Sequence, residues 1–145
     1  MGTGLEGTPR MEEGMSDGEY FKLAAIEVHS YLTNGTCDSH VIRGCINALE
    51  RLIKTDLEHD PKRPHLMDHV NTALTHIYPH IGVAQVPEII GLLEEEKELL
   101  EKIRDKQILT EEEGPRIYVF CREMGVQLRL LETDQSPHFY TDGDT

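Results

Sequence analysis

The sequence predicts an all-α fold, a four- to five-helix antiparallel bundle with flexible acidic termini. Three observations carry that expectation. Apolar residues recur at three- and four-residue steps in five successive stretches, the spacing that gathers side chains on one face of a helix. Residues that start and stop helices bracket those stretches. The links between them are short, and short links make successive helices antiparallel neighbours. At 145 residues the chain has the length of one domain. That is enough to bury a core without disulfide or metal staples.

The expected organisation is an N-terminal tail over 1–18, a helical domain over 19–132 and a C-terminal tail over 133–145. The first of these carries five glycines and almost no apolar pattern, which favours disorder. Helix one is expected from about Asp17 to Leu32. Phe21, Ala24, Ala25, Val28, Tyr31 and Leu32 form its buried face, and Asn34-Gly35, tolerant of left-handed backbone, ends it. Helix two runs from about Ser39 to Leu57, with Asp38 or Ser39 able to accept a hydrogen bond from a free first-turn amide. Its stripe is Ile42, Cys45, Ile46, Leu49, Leu52 and Ile53.

Helix three starts at Pro64, where a missing amide costs nothing, and reaches about Tyr78 before Pro79 removes an intrahelical bond. Helix four runs from near Pro87 to about Lys106 on Ile89, Ile90, Leu93, Leu100 and Ile103. The run Glu94 to Glu98 interrupts that stripe, so a half-exposed helix is expected. The fifth segment is open to two readings. Thr110 with Glu113 forms a capping-box pattern, and Ile117, Phe120, Cys121, Met124, Leu128 and Leu131 keep helical spacing. Yet 116–121 and 126–131 could pair as a hairpin around Met124-Gly125. Helix is the favoured reading.

Charge excludes several functions. Fourteen Lys and Arg stand against 27 Asp and Glu, a formal net charge of −13. Nucleic-acid backbones are bound mainly through Lys and Arg, so nucleic acid is not an expected partner. Anionic membrane surfaces are disfavoured for the same reason, and no run is apolar enough to span a bilayer. Three cysteines, Cys37, Cys45 and Cys121, with no secretory signal read as reduced thiols, and the expected location is cytoplasmic.

One cluster rises above composition. His65, His69, His76 and His80 lie within about 60° of one another on a helical wheel, at the edge of the apolar face. His65/His69 and His76/His80 are i,i+4 pairs, a spacing that can chelate a transition metal such as Zn²⁺. The pair midpoints are about 16–17 Å apart along the helix, so one metal cannot join both. No other cofactor is called for. The run from His65 to His69 resembles the inverted zinc-protease pattern His-x-x-Glu-His, with Asp68 where that family has Glu. Asp is one methylene shorter, and no third ligand is evident. His59-Asp60 after His29 is similar to the ligands of HD-type phosphohydrolases, but Pro61 follows where that family continues a helix. Glu94, Glu98, Glu101 and Asp105 resemble one acidic row of the MazG-type pyrophosphatases. That family needs a second row, and an ordinary solvated face accounts for this one.

Phosphate-binding loops, dinucleotide fingerprints and serine-nucleophile elbows are all absent from the sequence. Two functional expectations follow. The first is a non-catalytic protein-interaction, regulatory or adaptor protein that docks a protein partner or a second copy through Ile89, Leu93 and Leu100. The second is a metal-binding helical protein, extending to a metal-dependent hydrolase, that uses His65, His69, His76 and His80.

Overall fold

The structure, a computed structural model, describes residues 15–134. Among the described residues there are five helices: α1 (Asp17–Asn34), α2 (Ser39–Lys54), α3 (Leu66–Thr75), α4 (Val86–Arg104) and α5 (Glu113–Asp134). No strand occurs among the described residues. Most of each expected tail, 1–14 and 135–145, lies outside them. The expected boundaries at 18 and 133 fall inside α1 and α5.

Local chemistry explains each start and stop. Ser16 caps α1 by accepting from the Glu19 amide at 3.2 Å, and Gly35 ends it at φ 74° while its amide bonds to Tyr31 O. Asp38 caps α2 through the His40 amide at 2.9 Å. The amide of Gln85 donates to the Glu88 carboxylate at 2.8 Å, and Pro87 fits the first turn of α4, where amides lack intrahelical acceptors. Thr110 and Glu113 form the reciprocal pair read from sequence, each accepting from the other's amide at 3.1 Å. The Glu113 carboxyl is held below its ordinary pKa mainly by the Thr110 amide.

The favoured helix for the fifth segment holds, and one boundary changes. The hairpin alternative over 116–131 is overturned, because α5 is continuous through Met124-Gly125. Helix three is shorter than expected. Its regular pattern stops at Thr75, and the amides of His76, Ile77 and Tyr78 turn back onto Ala73 and Leu74 before Pro79.

The most extensive packing joins α1 to α5; α5 also packs on α3, and α2 bridges α1 to α4. Contacts set the directions. Gly18 sits beside Arg129 and Glu132, and Gly125 beside Lys22, so α1 and α5 run in opposite directions. Asp17 pairs with Arg51 at 2.6 Å while Glu27 accepts from the Asp38 amide, so α1 and α2 do too. One core fills the space between the helices, with Phe21, Leu49, Leu74, Leu100 and Phe120 all fully buried. Phe21 and Phe120 meet edge to face at 5.8 Å between centroids. Cys45 and Cys121 are buried there, and burial pushes the Cys45 thiol further from ionisation.

The α1–α5 approach depends on Gly125. A Cβ there would stand 2.9 Å from the Lys22 backbone nitrogen and 3.1 Å from its Cα. Backbone cannot give way as a side-chain tip can. Gly125→Ala is therefore expected to lower stability by about 1–3 kcal/mol despite alanine's better helix propensity. Gly91→Ala, on an open part of α4 with nothing within 4 Å, is expected to raise it by roughly 0.5–1 kcal/mol. Urea unfolding of the two variants checks both signs.

Candidate functional site

The four histidines do not share one helical stripe. His65 precedes α3 and stands exposed, 3.9 Å from Asp68. His69 lies within α3, and its Nδ1 is 2.8 Å from Gln127 Oε1 on α5. His76 follows α3 and donates from Nδ1 to Glu123 Oε1 at 2.7 Å. His80 lies beyond Pro79, exposed, with its ring edge-on to Tyr78 at 6.2 Å. Thus His69 and His76 bind two α5 side chains one turn apart and help join α3 to α5. Pro79 and the early end of α3 take His80 off the stripe. Among the described residues, no group of three or more His, Cys, Asp or Glu side chains is placed to hold a metal ion.

The expected partner surface on α4 is corrected. Ile89, Leu93 and Leu100 are each fully buried and belong to the core, so they present no face to a partner. The acidic run is corrected as well. Glu96 continues the buried stripe Ile89, Leu93, Leu100, Ile103 at steps of three and four, and it is 0% exposed. The Tyr78 hydroxyl donates to Glu96 Oε2 at 2.5 Å, and Arg116 Nε stands 3.1 Å from the same oxygen. The Arg116 guanidinium also lies over the Tyr78 ring, 5.9 Å from its centroid. Glu96 Oε1 has no hydrogen-bond partner among the described residues.

Burial raises the Glu96 pKa, and the Tyr78 hydrogen bond and the Arg116 charge pull it part of the way back. Burial and the bond to Glu96 push the Tyr78 phenol up. The trio joins the turn after α3, α4 and the first turns of α5 through one carboxylate. Nothing in it aligns a nucleophile with a base, and its geometry is that of a structural tie.

A different surface is open. A groove of about 380 Å³ runs along the outer side of the α1–α5 seam, between Lys22 and Ala25 on one helix and Arg122, Val126, Arg129 and Leu130 on the other. Gly125 forms part of its floor. Val126 is 49% exposed and Leu130 50% exposed. Ile26, one turn on from Lys22, is 58% exposed. Arg129 pairs with Glu19, while Arg122 lies 3.4 Å from Glu123 and 5.6 Å over the Tyr118 ring. A guanidinium carries five donors, so each arginine keeps several for a ligand. An apolar strip between Lys22, Arg122 and Arg129 is unusual on a chain with net charge −13.

Part of this was visible in sequence. Val126 and Leu130 fall outside the stripe that runs from Ile117 to Leu131, and Ile26 falls outside that of α1. Such off-stripe apolar residues signal an exposed patch. The cations gave no signal, because Lys22 and Arg122 meet only through the pairing of the first and last helices. Glu96 did give one, since its position completes the α4 stripe.

Compared with known proteins, the chain matches no family model, no curated protein and no solved structure.

Glu96 makes a pH prediction. Its folded pKa is raised, so the folded state binds the extra proton first. The stability this contributes is present below the ordinary carboxyl value of 4.5 and is lost as pH rises through the folded value. The stability of the unaltered chain relative to Glu96→Gln is therefore expected to fall as pH rises above 4.5. Urea unfolding of both proteins across pH 4 to 8 measures this, and a difference that rises with pH contradicts it.

Proposed function

We propose that this chain is a protein-interaction module that docks an acidic, amphipathic segment of a partner protein in the groove between α1 and α5. The observation that supports this reading is the groove itself, where half-exposed Val126 and Leu130 lie between Lys22, Arg122 and Arg129. Apolar side chains of the partner would cover Val126 and Leu130. Its carboxylates would take the free donors of the two arginines and the Lys22 ammonium. Opposite charge steers such an encounter, while the net charge of −13 repels acidic proteins from the remaining surface. Specificity then comes from the cationic rim of this groove on a chain of net charge −13.

The metal-binding reading has less support. His69 and His76 spend their Nδ1 atoms on α5, and His65 and His80 lie at opposite ends of the α3 region.

The test uses a fluorescently labelled probe peptide carrying Leu and Phe at helical spacing among glutamates. Saturable binding by the full chain is expected, weakening as salt is raised because the rim charges are exposed. Arg122→Glu with Val126→Glu is expected to weaken it at least tenfold while circular dichroism stays unchanged. Equal affinity for the unaltered and doubly substituted chains contradicts the assignment.

A further inference from the structure

The groove opens at the end of α5, where Leu130 and Thr133 line it, and eleven residues of the sequence follow Asp134. They read Gln135-Ser136-Pro137-His138-Phe139-Tyr140-Thr141-Asp142-Gly143-Asp144-Thr145. We propose that this segment, 135–145, docks back into the α1–α5 groove of its own chain and competes there with the acidic partner. The proposal rests on the docking role given to the groove, and it adds a means of regulating that role.

The chemistry of the segment matches that of the groove. Phe139 and Tyr140 are adjacent aromatics, the kind of side chain that Val126 and Leu130 can cover. Asp142 and Asp144 follow, with no Lys or Arg anywhere in the segment, so its net charge is opposite to that of Lys22, Arg122 and Arg129.

Reach is sufficient. Pro137 has no amide hydrogen to donate, and proline in general disfavours helical backbone at the residue before it. From Asp134 back to Val126 is about 12 Å of helix rise. The five residues from Asp134 to Phe139 span up to about 17 Å when extended. From Asp134 back to Arg122 is about 18 Å. The eight residues to Asp142 span up to about 27 Å. The aromatic pair can therefore lie over Val126 and Leu130 with the aspartates near Arg122. A short tether gives an effective concentration on the order of millimolar, so even weak docking competes with a dilute partner.

The chain has no Trp, so Tyr140→Trp creates a single reporter. In the full chain its emission is expected to be blue-shifted relative to a free 135–145 peptide with the same substitution. The shift is expected to be lost on adding Lys22→Glu and Arg122→Glu, with circular dichroism confirming an unchanged helical content. Emission identical to that of the free peptide overturns the proposal. So does a blue shift that survives both charge reversals, and so does one that grows with chain concentration, which would assign the contact to a second copy. As a second readout, Phe139→Ser with Tyr140→Ser is expected to tighten binding of the acidic probe peptide several-fold. A probe that binds neither chain removes the partner reading, and the reporter still decides the self-docking.

Discussion

The close approach of α1 and α5 is the constraint on which the rest of the bundle depends. These helices come from opposite ends of the described chain, and their pairing closes the structure. Gly125 lets α5 settle against the Lys22 backbone, and a Cβ on Gly18 would stand 3.0 Å from the Arg129 nitrogen. The end of the seam is clamped by Glu132. Its carboxylate accepts from the Ser16 hydroxyl at 2.7 Å and from the Gly18 amide at 2.9 Å. A carboxylate at a helix N-terminus meets the unpaired amides and the positive end of the helix dipole. Capping, electrostatics and packing thus act at one place, and Phe21 and Phe120 fill the core directly beneath.

The same seam explains where an open surface can lie. Two helices drawn this close leave little depth between them, so the side chains flanking the contact stand half exposed above a shallow floor. On α1 and α5 those flanking residues are Lys22, Arg122, Val126, Arg129 and Leu130. On α4, by contrast, Ile89, Leu93 and Leu100 face inward and Glu96 completes the stripe. Tyr78 and Arg116 meet that buried carboxylate, and their contacts tie α4 to the turn after α3 and to α5. The acidic helix accordingly contributes to the bundle through its buried carboxylate, and the open apolar strip lies on the opposite pair of helices.

Much of the fold could be read along the chain. Asp38, Asn34-Gly35, Thr110 with Glu113 and the apolar stripes act through neighbours within a turn or two, and those signals are local. The hairpin alternative for 116–131 arose because Val119, Phe120 and Val126 suit strands as well as helices; burial of Ile117, Phe120, Met124 and Leu128 on one face decides it. The failures are non-local. His76 looked free to chelate because Glu123 is far away in sequence. Glu96 looked solvated among Glu94, Glu95 and Glu98 although its place completes the α4 stripe. Only the packing of three elements around it shows why a carboxylate can occupy a core position. The groove likewise exists only once the first and last helices are paired.

Native-state amide hydrogen exchange tests the central place of the α1–α5 seam most directly, because it resolves which helices open only with the whole fold. Amides of α1 from Phe21 to Val28 and of α5 from Ile117 to Leu128 are expected to be the slowest to exchange, opening with the global unfolding free energy. Those of the ten-residue α3 are expected to open earlier by local fluctuation. If α1 or α5 exchanges ahead of α3, or the slowest amides are confined to α2 and α4, the seam does not hold the bundle together.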